Sequence, residues 1–277
     1  MKIAVLSGKG GAGKTLLAVN LAATMNRATY VDCDVEEPNG RLFLKPQKTE
    51  RIPVHQIIPQ FDPEKCSGCR KCVDFCRFNA LLFLKKQPML FTEVCHSCGG
   101  CVLVCPEQAI TEQPRPIGVV EKGVSGKTTV ITGILNPGEA SGVAVIQKAL
   151  ETAGDQGDVI IDCPPGSACN VQESIADADY CLLAAEPTAF GLHNFQMVYE
   201  LVSLHGKPCG VVINKEEKPY GPLDDFCREH DLPILLRIPF DRDLGSMLAG
   251  GELACRRRPV FAQALEALAR KIGGSAS

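Results

Sequence analysis

The sequence predicts an α/β fold: a doubly wound, mainly parallel sheet that carries a small inserted α+β domain. Three observations predict it. Short apolar runs alternate with helical patterns along the chain, the rhythm of a parallel sheet covered on both faces. The first run leads directly into a glycine-rich loop, Gly8–Thr15. Between Pro59 and Pro116 the rhythm stops, and eight cysteines take its place.

Taken in order, Lys2–Ser7 reads as a strand, followed by the glycine loop and a helix from about Lys14 to Met25. Ala28–Asp32 is the second strand and Thr129–Leu135 the third. A helix with Val143, Ile146 and Leu150 on one face follows. Asp158–Asp162, Tyr180–Ala185, Pro208–Asn214 and Leu235–Ile238 are further strands. The terminal helix, Pro259–Ile272, places Phe261, Leu265, Leu268 and Ile272 on one stripe. The main domain is expected over 1–58 and 117–277, and the insert over 59–116, where prolines 59, 63, 88, 106, 114 and 116 punctuate the chain. An insert in a surface loop costs little.

The bulk numbers narrow the function classes. The chain has 277 residues, 45% hydrophobic and 22% charged, with a net charge of −3. That balance offers nucleic acid no bulk attraction. With no Trp and 5% aromatics, a stacking platform is not expected either. No apolar run reaches the ~18 residues of a membrane span. Ile3–Leu6 is too short for a signal peptide core. Fifteen cysteines in such a chain point to metal rather than disulfides and to a reducing compartment. A cytoplasmic location is expected.

The loop Gly8-Lys9-Gly10-Gly11-Ala12-Gly13-Lys14-Thr15 satisfies G-x4-G-K-[ST] between a strand and a helix. Glycines there turn backbone N–H groups toward phosphates, at a helix N-terminus. Lys14 would reach the β- and γ-phosphates, and the Thr15 hydroxyl would ligate Mg²⁺. ATP or ADP with Mg²⁺ is the expected cofactor. A second match, Val124-Ser125-Gly126-Lys127-Thr128-Thr129, lacks the first glycine, which would fall at Glu121. It reads as a turn into a strand, with no strong strand before it and no helix after it.

Lys9 defines the subclass. K-G-G-x-G-K-T resembles the deviant Walker A loop of the MinD/ParA/Mrp and nitrogenase iron-protein class. This resemblance covers nearly all the chain outside the insert. It implies a P-loop ATPase that works as a homodimer, with Lys9 reaching the partner's nucleotide. It also implies a role for Asp34, at the end of Val31-Asp32-Cys33-Asp34, in positioning or deprotonating the attacking water, with Asp32 supporting Mg²⁺. Asp158–Gly166 resembles Walker B running into switch II. Asp162 would hold Mg²⁺ through its water shell, and Gly166 would offer its N–H to the γ-phosphate. Asn214 would meet adenine, and Pro239-Phe240-Asp241 would close over the base. A lone Asp or Asn at such places is otherwise a cap or turn residue.

The cysteines read C-x2-C-x2-C-x3-C twice: Cys66, Cys69, Cys72, Cys76 and Cys95, Cys98, Cys101, Cys105. The copies start 29 residues apart, an internal duplication resembling two-cluster ferredoxins. In that pattern the fourth cysteine ligates the other cluster. It implies one [4Fe–4S] cluster on Cys66, Cys69, Cys72 and Cys105, and another on Cys95, Cys98, Cys101 and Cys76. Pro106 follows Cys105, whereas Arg77 follows Cys76. Two zinc sites of four thiolates are the alternative. Of the other thiols, Cys33, Cys181 and Cys209 read as core residues, and Cys227 and Cys255 as helix positions. Cys163 and Cys169 flank switch II. Cys169 matches the spacing of a cluster ligand in the nitrogenase iron protein, but no cysteine occupies the region of Glu139–Ala140, where a second would fall. The C-terminal C-x2-C of Mrp-type carriers is missing too. A buried or reactive switch thiol is the reading adopted.

As a whole the chain resembles MinD-superfamily ATPases containing an inserted ferredoxin domain. Three functions follow. The first is an ATPase coupling hydrolysis to electron transfer toward a protein redox partner. The second is an ATP-gated cluster or metal carrier serving an apo-acceptor. The third is a MinD-like positioning protein on a membrane surface, for which the terminal stripe lacks a notably basic polar face.

Overall fold

The computed structural model describes residues 1–155 and 157–275. Strand β1 (Lys2–Leu6) leads through the glycine loop into helix α1 (Lys14–Thr24), then β2 (Thr29–Asp32) and the short α2 (Gly40–Leu44). Strand β3 (Gln47–Phe61) runs out to the cysteine segment, which holds α3 (Lys71–Phe75), β4 (Leu81–Leu84), β5 (Gln87–Leu90) and α4 (Gly100–Leu103). Strand β6 (Ile110–Ser125) returns and turns into β7 (Thr128–Leu135). Helix α5 (Val143–Ala153), β8 (Val159–Asp162), α6 (Cys169–Ile175), β9 (Tyr180–Ala185) and α7 (Ala189–Leu204) follow. The chain ends with β10 (Cys209–Glu216), α8 (Gly221–Glu229), β11 (Ile234–Pro239), α9 (Arg242–Ala249), α10 (Ala254–Arg257) and α11 (Pro259–Ser275).

One nine-stranded sheet runs β11-β10-β9-β1-β8-β2-β7-β6-β3. From β11 to β7 all neighbours are parallel, while β6 and β3 pair antiparallel at one edge. Alternation along each buried strand feeds two cores. Ala4 and Leu6 join one core with α5, α6, α7 and α8; Ile3 and Val5 join the other with α1, α9 and α11. Leu265, Leu268 and Ile272 of α11 are fully buried there, with Phe261 beside them. The terminal stripe is therefore a docked core face, not a membrane-surface face. Among the described residues no helix is long and apolar enough to cross a membrane.

The strands β3 and β6 are what the sequence reading did not contain. They pair from Gln47↔Val124 to Phe61↔Ile110, whereas β7 stops at Gly118↔Leu135. Beyond Gly118 the hairpin projects alone for roughly 26 Å at about 3.3 Å per residue. The boundaries placed at Pro59 and Pro116 fall inside these strands. Prolines 53, 59, 114 and 116 are tolerated because they sit on an edge strand or on the free arm. The second glycine-lysine motif is the β6–β7 hairpin turn, so a strand does precede it, contrary to the reading above.

At the tip of the arm the duplication appears in the backbone. Helices α3 and α4 start at Lys71 and Gly100, and left-handed φ values recur at Gly68 and Ser97, Arg70 and Gly99, and Asn79 and Gln108. The copies pack face to face: a Cβ on Gly100 would lie 2.1 Å from the Phe75 ring. Strands β4 and β5 form an antiparallel hairpin between them.

Candidate functional site

The loops at the carboxyl ends of β1, β2 and β8 meet at one cavity, as expected at such strand ends. Its volume is about 440 Å³. Lys9, Gly10, Gly11, Gly13, Lys14 and Thr15 line it, facing Asp34, Asn214, Pro239 and Asp241. The glycines divide in two. A Cβ on Gly8 would lie 2.1 Å from the Asn194 carbonyl oxygen, and one on Gly13 2.0 Å from the Asn214 amide. Gly10 and Gly11 have nothing within 4 Å. Two glycines thus seat the loop on α7 and β10, and two leave room for a ligand. Gly8, Ala12, Asp162 and Gly166 do not line it.

Strand register sets the charges. Asp32 pairs directly with Asp162 across β2 and β8, and both are buried. Lys14 Nζ lies 2.7 Å from Asp162 Oδ1 and 3.7 Å from Asp34 Oδ2. The Tyr30 hydroxyl donates to Asp162 Oδ2 at 2.8 Å. Asp32 accepts from the Asp34 and Gly40 amides at 3.2 and 2.9 Å. Burial acts to lower the Lys14 pKa, but Asp162, Asp34 and Asp32 outweigh it and hold it above the ordinary value. Burial, then Asp162, pushes Asp32 up to about 8. Burial also raises Asp34, against the pull of Lys14. This is an array of carboxylates around one ammonium, ready for a polyphosphate and a divalent cation.

The remaining candidates are in defined places. Asn214 donates to the Ala12 carbonyl at 2.9 Å, leaving its own oxygen unspent. Asp241 caps α9, accepting from Asp243 and Leu244 at 2.9 and 3.1 Å, and pairs with Arg258. Gly166 donates to the Ser7 carbonyl at 3.0 Å, so offering that N–H to a ligand requires switch II to move. Lys9 pairs with Glu186 and lies 5.1 Å from the centre of the Phe190 ring. Glu186 also takes Lys215 at 2.7 Å. Burial acts to raise Glu186, but Lys215 and Lys9 hold it below the ordinary carboxylate value. Tyr30, Glu186 and Lys215 were not singled out by the sequence reading. Lys215 had a usable signal, since it adjoins Asn214; Tyr30 and Glu186 had none.

The eight tip cysteines face two further cavities. Cys66, Cys69, Cys72 and Cys105 line one. Cys95, Cys98, Cys101 and Cys76 line the other. Each draws three thiols from one repeat and the fourth from the other. Burial raises Cys72, with Cys105 and Cys66 adding to it; burial pushes Cys101 up to about 11, with Cys95 and Cys98 adding to it. The Ala109 amide donates to Cys105 Sγ at 3.3 Å, a contact suited to a thiolate. Among the described residues no three Cys, His, Asp or Glu close into a single-ion site. A Zn²⁺ with four sulfurs at about 2.3 Å would need the thiols gathered closely. A cavity ringed by four spaced thiols fits a multi-atom cluster better.

Of the other thiols, Cys33, Cys163, Cys181 and Cys227 are buried, and Cys209 and Cys255 partly so. Cys163 is raised well above the ordinary thiol value by burial, which makes it inert. Cys169, at the start of α6, is exposed.

Comparisons agree with this geometry. An uncharacterized protein of Methanocaldococcus jannaschii is 30% identical over 281 residues, 98% of this chain and 96% of the relative. Two short matches are 45% identity over 53 residues, 18% of each chain, with the iron-sulfur cluster carrier protein of Pyrococcus abyssi, and 38% over 50 residues, 16% of this chain and 30% of the relative, with the ferredoxin-type protein NapF of Escherichia coli. The cell division ATPase MinD of Pyrococcus furiosus shares the fold, with a TM-score of 0.61 at 18% identity over 99% of this chain and 98% of its own. The CobQ/CobB/MinD/ParA nucleotide binding domain matches residues 3–254. A phosphate loop seated on this sheet, over that span, makes the chain a member of the CobQ/CobB/MinD/ParA family of nucleotide-binding P-loop proteins.

Proposed function

We propose that this chain is an Mg²⁺-dependent ATPase, active as a homodimer, that couples hydrolysis to electron transfer through two [4Fe–4S] clusters in its arm. The observation that carries this reading is the pair of cavities, each lined by three cysteines of one repeat and one of the other. Bound cubanes would supply one-electron carriers there. On the nucleotide side, Lys14 would neutralise the β- and γ-phosphates, and Thr15 and, through its water shell, Asp162 would hold Mg²⁺, with Asp32 behind them. Asp34 would position or deprotonate the attacking water. Asn214 and the Pro239–Asp241 loop hold the base. Gly166 swings from Ser7 to the γ-phosphate, and Lys9 leaves Glu186 for the partner's nucleotide.

A continuous set of contacts supports coupling. The Gln56 amide donates to the Cys95 carbonyl and Arg115 to the Thr92 carbonyl, both at 3.4 Å. Arg115 pairs with Glu139 in the loop that follows β7. In that loop Gly142 packs against Val35, next to Asp34: a Cβ on Gly142 would lie 2.5 Å from the Val35 side chain. The cavity of Cys95 is thereby tied to the switch that senses the γ-phosphate.

A second reading, ATP-gated cluster delivery, is favoured by the similarity to a cluster carrier protein. Anaerobic reconstitution separates the alternatives. Cys76→Ser should remove the spectral signature of one cubane and about four iron atoms per chain, and Cys105→Ser the other. Binding of two zinc ions with no cubane signal would overturn the reading. Loss of cubanes to an apo-ferredoxin during ATP turnover would replace electron transfer by delivery.

A further inference from the structure

The two cysteine cavities are not equivalent in position. The one holding Cys95 is tied to the body through Gln56 and Arg115. The one holding Cys66 is closed by Phe61, Ala109 and Ile110, at the far end of the arm. One cavity is proximal to the nucleotide and the other distal.

They are not equivalent in charge either. From Asp62 to Leu90 the chain carries Lys65, Arg70, Lys71, Arg77, Lys85 and Lys86, all exposed, against Asp62, Glu64 and Asp74. From Phe91 to Gln113 it carries Glu93, Glu107 and Glu112 and no Lys or Arg. Arg70 lines the distal cavity, whereas Arg77 follows Cys76 at the proximal one. The Arg70 guanidinium lies 5.5 Å from the Phe83 ring centre. A Cβ on Gly68 would lie 3.5 Å from Phe83 and 3.6 Å from the Lys86 carbonyl. The β4–β5 turn therefore places Lys85 and Lys86 beside the loop of Cys66 to Arg70, where Cys69 is exposed. Lys65 pairs with Asp62 at 3.4 Å and Arg70 with Asp74 at 3.9 Å; among the described residues Lys71, Arg77, Lys85 and Lys86 have no carboxylate partner. Glu107 is the one acid lining the distal cavity. Exposed Leu82, Leu84 and Met89 lie on the other face of this hairpin, opposite Phe83 and Pro88, which line the cavity.

We propose that this distal, basic face is the docking surface for an acidic one-electron carrier protein, and that electrons cross at the Cys69 edge. The inference rests on the cluster reading above. A surface cluster of one sign steers a partner of the opposite sign. A protein partner is favoured over a polyanion because Arg70, Lys85 and Lys86 stand beside a thiol-lined cavity and are interspersed with Asp62, Glu64, Asp74 and Glu107. In the step, one electron leaves a reduced cubane, which rises one oxidation level, and the partner's carrier group gains that electron. No proton is needed.

The reconstituted full-length protein, reduced with dithionite, tests this with two haem proteins of opposite charge as probes. Ferric cytochrome b5 is acidic and ferric cytochrome c is basic; each takes one electron to the ferrous form. The cytochrome b5 rate should fall at least tenfold as salt screens the face, while the cytochrome c rate should not fall. Lys85→Asn with Lys86→Asn suits the left-handed φ of both sites, 47° and 67°. It should slow cytochrome b5 about tenfold at low salt, weaken its calorimetric binding likewise, and leave cubane spectra and ATPase rate unchanged. Lys71→Gln should give a smaller loss of the same sign. Glu93→Gln on the other repeat should change nothing beyond twofold. Salt-independent rates, or an unchanged double variant, overturn the proposal. So does binding of single-stranded DNA or anionic vesicles that depends on these lysines while cytochrome b5 binding does not. Failure to form cubanes would refute the cluster reading instead, and the absent spectrum would show which idea had failed.

Discussion

The body and the tip of the arm are built on opposite principles. The body buries two continuous apolar layers, one on each face of the sheet. Among the described residues the tip's buried apolar cluster is Cys72, Leu81 and Ile110, with Ala80 and Ala109 also buried. The tip exposes Phe75, Phe78, Phe91 and Val94, with Leu103 86% exposed. So small an apolar core seldom holds a fold by itself. Thiolate ligation is the natural substitute, since metal binding then supplies folding free energy. Under the proposed function, one chain would hold a self-sufficient element and a ligand-dependent one. Their junction, at Arg115 and Glu139, is where the two can communicate.

The largest effect expected from this contrast comes from stripping the clusters with a chelator. Hydrogen-exchange protection over 62–109 should collapse, while the body keeps its protection and its affinity for MgADP. A tip that stays protected would erase the contrast.

Next is Lys14→Ala, which strikes the body. It removes the phosphate contact and leaves buried Asp162 without its ammonium. Calorimetry should show no nucleotide binding, and urea titration a loss of about 3 kcal/mol, with the tip's spectrum intact.

Lys9→Ala should be milder for folding and severe for turnover. Nucleotide binding should stay within about threefold, while hydrolysis falls roughly 10³-fold, as for other cations acting in trans. Full activity in this variant would remove the homodimer from the account.

The smallest effect belongs to Glu186→Gln. Its pairs with Lys9 and Lys215 are partly exposed, so less than about 1 kcal/mol should be lost. The sign with pH is fixed. Glu186 is held below the ordinary carboxylate value in the fold, so its contribution is present at neutral pH and fades as pH falls through that depressed value. The two proteins should converge in stability in acid.

Much of this was legible in the sequence because it is local. The phosphate loop, the strand ends at Asp34, Asp162 and Asn214, and the cysteine spacing are each contiguous runs. Both thiol sets also follow from a repeat that recurs every 29 residues. Strands β3 and β6 were not legible. Most of β3 is exposed on both faces, so it shows no alternation, and its prolines read as loop. Helices α3 and α4 span 5 and 4 residues, too short for a 3.6-residue period to register. The pairs Tyr30–Asp162, Lys9–Glu186 and Arg115–Glu139 join distant stretches of chain. Tyr30 and Asp162, for instance, are 132 residues apart. No local pattern announces such a contact.

The central claim is that the state of the nucleotide is felt at the cysteine cavities. A redox titration of the reconstituted protein, followed by electron paramagnetic resonance with MgADP and then with a non-hydrolysable MgATP analogue, tests it most directly. The cubane on Cys95, Cys98, Cys101 and Cys76 should shift by about 59 mV or more, a tenfold change for a one-electron couple. Arg115→Gln should abolish the shift. Identical midpoint potentials for both cubanes in the two nucleotide states would contradict that claim.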